Sequence, residues 1–205
     1  MRTGSSLRPA LKAVLKVYDD LDKQIAVLNR VTGLQCPEGC GLCCKNTQVE
    51  ATVPEVLPLA FEIYLDAREG KVLESIQGKK ERGDDTCVLY EPDAVIEGNG
   101  RCTSYSTRPL LCRLFGFASR KNKYGRMEFS PCRVIRHVQP DILQRVEIAI
   151  QNGISPPVYQ ESFLRVAGIL PSLGFRRLPI NQAILEALGY LQWKKPRPRR
   201  YRKAA

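Results

Sequence analysis

The sequence predicts a mainly helical α+β protein with an irregular cysteine-rich core and a small β element. Amphipathic helical periods occur near both ends of the chain, while short β-type runs and all eight cysteines occupy its middle. The length of 205 residues suits one compact domain with appended elements. We expect an amphipathic N-terminal helix, a cysteine-cluster domain, C-terminal helices packed on that domain and a basic disordered tail, over residues 1–33, 34–137, 138–193 and 194–205.

The N-terminal segment carries one apolar helical stripe. Its residues alternate at spacings of 4 and 3, and they are Leu7, Leu11, Val14, Tyr18, Leu21, Ile25 and Leu28. Ser5 or Ser6 can cap the start of this helix and Gly33 can end it. We favour a helix that lies on its own domain over a dimer seam, although monomer and dimer both remain open.

The other elements follow from caps, periods and turns. Thr52-Val53-Pro54-Glu55 is a capping box, which predicts a helix through about Ala67. Residues 70–82 are mostly polar and predict a short helix that runs into a loop. Strands are expected at Cys87–Tyr90 and Phe115–Ala118, with turns at 98–100 and 123–125. Helical periods predict the last three helices, at 141–152, 158–169 and 180–191.

The cysteines are the chemically informative residues. Four lie within nine residues, separated by glycine and proline instead of core-forming apolar residues: Cys36, Cys40, Cys43 and Cys44. Glycine allows positive φ and close backbone approach, so thiolates of such a loop can converge on one metal. Four more are dispersed through the central region and could close that site or build a second: Cys87, Cys102, Cys112 and Cys132. All eight are candidate metal ligands, so we expect the irregular core to be metal-binding.

Disulfides are the main competing interpretation of eight cysteines. The first 20 residues contain four basic residues and no unbroken apolar run, which indicates no signal peptide and a reducing, cytoplasmic location. Structural disulfides are rare in that compartment, so we prefer metal ligation to disulfides, to buried structural thiols and to metal-free redox chemistry. No segment approaches the roughly 20 apolar residues of a membrane span, so we expect no membrane partner.

An ordered set of motifs resembles the YkgJ-type cysteine-cluster family, whose domain is described as zinc- or iron-chelating. The set comprises Cys36–Cys44, Cys87–Tyr90 and Cys102–Phe115. Its most specific part is the order of three motifs: Cys-x2-Cys-Cys, an isolated cysteine, and Cys-x2-Tyr-x2-Arg-Pro-x2-Cys-Arg. One departure is that three residues separate Cys36 from Cys40, where the family typically has two. The resemblance implies bound zinc or an iron–sulfur cluster. Flagellin lysine N-methylases contain a similar domain, which leaves an enzymatic role open.

The donor types restrict the metal. His137 is the only histidine, so sites that need two or three imidazoles are excluded within one chain. Thiolates suit both zinc and iron–sulfur clusters, and we favour the cluster because the cysteines exceed the needs of one ion. Neighbouring Cys43 and Cys44 are expected to point in different directions. The simplest ligand set is therefore Cys36, Cys40 and one of that pair, together with one dispersed cysteine.

Basic residues adjoin several cysteines and can compensate thiolate charge: Lys45, Arg101, Arg113 and Arg133. Arg108 precedes Pro109, which favours a helix start at that point. This leaves Arg108 free to bind a carboxylate or another anionic ligand, with a structural cap or salt bridge as an equally good alternative. Tyr105 is expected to pack against the site.

The predicted function is a cytoplasmic cysteine-ligated metalloprotein, with electron transfer or an oxidoreductase reaction, and an unknown protein or redox partner. We name no catalytic residue. One alternative is an S-adenosylmethionine-dependent enzyme, indicated by Cys36-x3-Cys40-x2-Cys43, which would require a preceding strand and strand–helix repeats. The other is a zinc-stapled binding module that uses its basic tail on nucleic acid. The net charge is +11, with seven basic residues between 194 and 203, but we favour a solvated tail over nucleic-acid binding.

Overall fold

Helices form most of the chain, and three short antiparallel strand pairs tie loops together. The computed structural model describes residues 7–97 and 99–194. The helices are α1 (Leu7–Thr32), α2 (Leu42–Lys45), α3 (Val53–Leu65), α4 (Glu69–Glu81), α5 (Leu110–Leu114), α6 (Arg133–Val138), α7 (Ile142–Gln151), α8 (Tyr159–Ala167), α9 (Pro171–Gly174) and α10 (Ile180–Lys194). The strands are β1 (Glu50–Ala51), β2 (Tyr90–Pro92), β3 (Gly100–Cys102), β4 (Ser119–Lys121), β5 (Met127–Phe129) and β6 (Leu178–Pro179). The predicted mainly helical α+β class is confirmed.

Strand pairing joins distant parts of the chain as well as neighbours. β2 pairs with β3 and β4 with β5, each as a local hairpin. β1 pairs with β6, so the residues before α3 lie beside those before α10. The two helices therefore start at the same place, and α3 packs extensively against α10. This arrangement gives the cysteine-bearing loops a rigid surface on which to lie.

The apolar stripe of α1 is buried against its own chain. Of the predicted stripe, the six residues from Leu11 to Leu28 are buried, and the helix packs against α3, α7 and α8. It ends at Gly33, which has φ +68° and whose N–H donates to the Asn29 carbonyl. The predicted caps Ser5 and Ser6 lie outside the described residues. Tyr18 Oη donates to the Glu55 carbonyl over 2.6 Å, which fixes α1 to α3.

The buried apolar residues form two clusters. One is built mainly from α3 and α10, with Leu57, Ile63 and Ile184 among its buried members. The other joins α1 to α5, α6, α7 and α8. Cys87, Cys102 and Cys112 pack against the α3–α10 cluster, whereas Cys132 packs against the α1 cluster. The dispersed cysteines are therefore anchored to apolar cores although their own segments are irregular.

Most predicted elements are present. The capping box is formed at the start of α3: Thr52 caps the helix, and the Glu55 carboxylate accepts from the Thr52 N–H over 3.1 Å. α3 ends before Ala67, whose φ of +53° breaks the helix. The segment 69–81 is a continuous helix instead of a short one running into a loop, and only Val72 of it is buried. The helices predicted near 141–152, 158–169 and 180–191 are confirmed.

Two predicted strands are wrong in position. Residues 87–89 form a turn, in which the N–H of Tyr90 donates to the Cys87 carbonyl. The strand starts only at Tyr90. Phe115–Ala118 is the C-terminal turn of α5, because Gly116 with φ +88° reverses the chain, and β4 starts at Ser119. In both cases the pattern of apolar residues resembled that of a strand, but a turn determined the backbone geometry.

Four further expectations remain. Within residues 7–97 and 99–194, no helix is both long and apolar enough to cross a membrane. Gly98 and residues 195–205 of the predicted basic tail lie outside the described residues. The four-part division of the chain stays a prediction. The S-adenosylmethionine alternative is not supported, because α1 instead of a strand precedes the cysteine loop and the strand pairs are antiparallel.

Candidate metal centre

Seven of the eight cysteines line one cavity of about 380 Å³. They come from four stretches of chain: the loop 36–44, the turn at Cys87, the end of β3 at Cys102 and α5 at Cys112. Arg101, Arg108, Tyr105 and Phe115 complete part of the wall. The structure therefore brings together the loop cysteines and three of the dispersed ones, from positions up to 76 residues apart (Cys36 to Cys112).

Two glycines allow the loop 36–44 to approach the β2–β3 hairpin. Gly39 has φ +69°, and its carbonyl accepts from the Gly100 N–H over 2.9 Å. A Cβ on Gly41 would lie 2.6 Å from Cε2 of Tyr90 and 2.9 Å from the carbonyl carbon of Gly100. Any side chain at Gly41 would therefore push the loop away from the hairpin. The expectation that glycine serves close backbone approach is met here.

The β2–β3 hairpin presents Cys102 to the loop. Cys102 lies opposite Tyr90 in the ladder, and the N–H of Thr103 donates to the Leu89 carbonyl over 2.9 Å. Tyr90 Oη donates to the Asn99 carbonyl over 2.9 Å. The tyrosine thus closes the hairpin turn and also forms the wall on which Gly41 packs.

Asn181 holds the turn that carries Cys87. Its Oδ1 accepts from the Val88 N–H over 2.8 Å, and its Nδ2 donates to the Thr86 carbonyl over 2.9 Å. The amide side chain therefore binds the backbone on both sides of the cysteine. The N–H of Cys87 also donates to the Cys44 carbonyl over 3.4 Å, which links the turn to α2. Sequence reasoning missed Asn181, because nothing local signals a partner more than 90 residues away.

Arg113 fixes the helix that carries Cys112. Its side chain is only 2% exposed, and its Nη1 donates to Asp22 Oδ1 of α1 over 2.6 Å. Nη2 donates to the Ser106 carbonyl over 2.6 Å, and the guanidinium lies 4.6 Å from the ring centre of Tyr18. Arg113 therefore connects α5 to α1 and to the 3₁₀ turn Tyr105–Thr107. Its role is structural, although it adjoins a cysteine.

Three thiols of the cavity form a hydrogen-bonded group. Hydrogen bonding from the Cys44 thiol lowers the pKa of Cys43 to about 6 and that of Cys102 to about 7. The same interactions, together with burial, raise the pKa of Cys44 far above the ordinary thiol value. At neutral pH Cys44 therefore keeps its proton, while Cys43 and Cys102 favour the thiolate form. Cys43 and Cys44 both line the cavity, and the expectation that they point in different directions stays a prediction.

Three further thiols of the cavity, those of Cys36, Cys87 and Cys112, are kept neutral. Burial is the main cause that raises the pKa of Cys36 to about 12 and that of Cys87 to about 11. Burial likewise raises the pKa of Cys112 strongly. Nearby thiols add to each shift, since a second negative charge in the same cavity is unfavourable. Without a cation, the cavity therefore cannot accommodate all of its thiols in the ionised form.

Cys132 lies apart from this group. Its Sγ accepts from the Ile135 N–H over 3.4 Å as the N-cap of α6. It lines a neighbouring cavity of about 320 Å³ and is near enough to raise the pKa of Cys36 by its charge. His137 is exposed on α6 and does not line the cysteine cavity. Cys132 stays a predicted ligand, with a structural role as a cap.

The donor chemistry fits a thiophilic metal, but the thiols are not arranged around one point. In the described part of the chain, no three His, Cys, Asp or Glu side chains converge closely enough to hold an ion. One tetrahedral ion needs four sulfur atoms at about 2.3 Å from the metal. The thiols instead line the walls of a cavity of about 380 Å³ and are not that close to one point. Binding would therefore require side-chain rotation toward the centre of the cavity. All eight cysteines are free, so none is withheld by a disulfide.

These features define a class: a mainly helical protein whose cysteines gather around one thiol-lined cavity. Residues 35–133 match the family model CxxCxxCC, described as a putative zinc- or iron-chelating domain. The matched segment contains all eight cysteines, and over these residues the chain is similar to this family. The resemblance to a zinc- or iron-chelating cysteine-cluster domain is confirmed. No curated protein and no solved structure matches the chain.

Gly41 provides a direct test of the loop geometry. We expect Gly41→Ala to lower both bound metal and stability, by about 1–3 kcal/mol of unfolding free energy, because the new Cβ collides with Tyr90 and Gly100. Metal analysis and urea unfolding measure the two effects. Gly70→Ala is the matched control, since its Cβ would meet nothing within 4 Å. Equal metal content and stability in wild type and Gly41→Ala would refute the packing described here.

Proposed function

We propose that this protein binds an iron–sulfur cluster in the thiol-lined cavity and uses it for electron transfer or an oxidoreductase reaction. The observation that carries the proposal is the convergence of seven cysteines, from four stretches of chain, on one space of about 380 Å³. Support comes also from the family description, which names zinc or iron as the bound metal.

The size of the cavity favours a cluster over a single zinc ion. A structural zinc site holds four thiolates in a closed tetrahedron, with sulfur atoms at about 2.3 Å from the metal. An iron–sulfur cluster spreads its cysteine ligands over a larger volume, which suits a cavity of about 380 Å³. A structural zinc that only staples the loops is the second candidate, favoured by the irregular backbone of residues 82–97 and 99–133.

We assign the central ligands to Cys43, Cys44 and Cys102. Cys44 interacts with both of the other thiols by hydrogen bonding, and a bound metal would replace its proton with a stronger cation. Cys87 and Cys112 interact with the same group and are the candidates for the fourth ligand, while Cys36 and Cys40 interact with each other in the same cavity. A bound cluster would supply the ability to accept and release single electrons.

The protein's own residues would hold the cysteine ligands in position. Asn181 fixes the turn of Cys87, Tyr90 and Gly41 fix the hairpin against the loop, and Arg113 fixes α5 on α1. The Asn181 and Arg113 contacts join cysteine segments to α10 and α1, which are buried in the two apolar cores. A centre held in this way would tie down the cysteine loops, which have little apolar core of their own.

A reducing compartment such as the cytoplasm is part of this proposal, because thiolate ligands must remain reduced. The eight free thiols of the structure agree with it. A redox protein also needs a partner, and we propose another protein for that role. Nucleic-acid binding by the basic tail is not proposed, since no observation on the described residues favours it.

The metal and its ligands can be tested together. We expect protein purified without oxygen to contain iron and sulfide and to absorb broadly near about 400 nm. Cys44→Ser should lose most of the metal, because Cys44 lies between two other proposed ligands. Cys132→Ser is the matched control: serine is a good helix N-cap, so α6 and the metal should both be retained. Colourless protein with one equivalent of zinc would favour the structural staple, and wild-type protein without either metal would refute both.

Metal binding should release protons. Cys44 is protonated at neutral pH because its pKa is raised, so its proton must leave when the thiolate binds a cation. On lowering the pH from about 8 to about 6, Cys102 and then Cys43 also take up protons, so more protons compete and the apparent affinity falls. Anaerobic titration of metal-free protein with Zn²⁺ and an indicator dye measures both quantities. An affinity that stays constant over this range would contradict the assigned ligands.

A further inference from the structure

We propose that the cysteine cavity binds a small organic carboxylate through Arg108. This inference deepens the proposed function, because it places an anionic ligand or substrate beside the metal centre in the same cavity. It depends on the position of Arg108, on the lack of an anionic partner for its guanidinium and on the apolar side chains around it.

Arg108 is held at the cavity wall, and some of its N–H groups make no hydrogen bond within the described residues. Its guanidinium stacks on Tyr105 with 3.8 Å to the ring centre, and Nη1 donates to the Tyr105 carbonyl over 2.8 Å. Among the residues that the structure describes, no hydrogen bond uses Nε or Nη2 of Arg108, and no carboxylate pairs with it. The stacking and the backbone bond fix the plane of the guanidinium, so the remaining N–H groups are preorganised for a planar acceptor.

Arg108 differs in this respect from the other arginine at the cavity. Arg101 pairs with Glu91, with 2.6 Å between Nε and Oε2, and its side chain is directed along the outside of the hairpin. Behind the wall, Arg113 pairs with Asp22. Of the two arginines that line the cavity, Arg108 is therefore the one whose guanidinium forms no ion pair with a carboxylate within the described residues. A monoanionic carboxylate matches a single guanidinium, whereas a phosphate dianion would call for a second cation or several backbone N–H donors.

The thiolates do not satisfy Arg108 directly. No hydrogen bond joins the guanidinium to the sulfur of Cys43 or Cys102 within the described residues, although all three residues line the same cavity. A carboxylate bound to Arg108 in this cavity would therefore lie near the proposed metal ligands.

The surroundings fit the rest of such a ligand. Tyr105 is 58% exposed and Phe115 is 37% exposed, and both line the cavity together with Pro109. Small-molecule sites typically combine an apolar wall of this kind with a few fixed polar groups. We therefore expect a carboxylate with an aromatic or other apolar body, which would contact these side chains while its charge binds Arg108.

The test uses benzoate, with neutral benzamide as a probe of the same shape, in isothermal titration of metal-loaded protein. We expect benzoate to bind wild type and benzamide to bind at least about tenfold more weakly, because one charged hydrogen-bonding partner is lost. Arg108→Gln should weaken benzoate by a similar factor, while Arg101→Gln, which removes a paired cavity arginine, should leave the affinity unchanged. Equal affinity for both probes, or no loss in Arg108→Gln, would overturn the inference.

Metal analysis of the same samples separates this inference from the proposed function. Wild type that holds its metal but does not bind benzoate refutes the carboxylate site alone. Wild type without metal that still binds benzoate through Arg108 supports the carboxylate site and refutes the metal centre. If Arg108→Gln loses its metal, Arg108→Lys is the second variant to test, because lysine keeps the positive charge but lacks the planar pair of donors. Weaker benzoate binding in Arg108→Lys then supports the site, and unchanged binding overturns it.

Discussion

The gathering of thiols from four stretches of chain around one cavity is the constraint on which this structure depends. Three sets of contacts hold these stretches on the rest of the fold: Asn181 of α10 on the turn of Cys87, Asp22 of α1 on α5, and the hairpin backbone on the loop. Together these contacts place the sulfur atoms at one cavity. They leave a group of neutral and ionised thiols in a confined space, which is unfavourable unless a cation is shared.

The thiols of the cavity differ in how readily they ionise. Hydrogen bonding from the Cys44 thiol lowers the pKa values of Cys43 and Cys102, whereas burial raises those of Cys36, Cys87 and Cys112. In the proposed centre, a metal would compete with the proton on Cys44 for these sulfur atoms. The cavity, its electrostatics and the description of the matched family together support metal ligation by thiolates.

Local patterns in the sequence account for the helices and for the type of site. The stripe from Leu11 to Leu28 and the capping box at Thr52 are physical causes that act within one or two turns, and both are found in the structure. The glycines of the loop indicated close packing, and Gly41 has it. Asn181 and the proximity of Cys44 to Cys102 could not be predicted, because they depend on how distant segments pack. The strands expected at Cys87 and Phe115 failed because turns, marked only by Gly116 in one case, outweighed apolar alternation.

Hydrogen–deuterium exchange on protein purified without oxygen, before and after removal of its metal, tests the central claim most directly. If a metal holds the cysteine segments together, its removal should increase exchange in residues 36–45, 86–90 and 99–114. The buried helices α3 and α10 should keep their protection, because their apolar core does not involve the metal. Identical exchange with and without the metal, or protein that is fully protected and metal-free as isolated, would contradict the account.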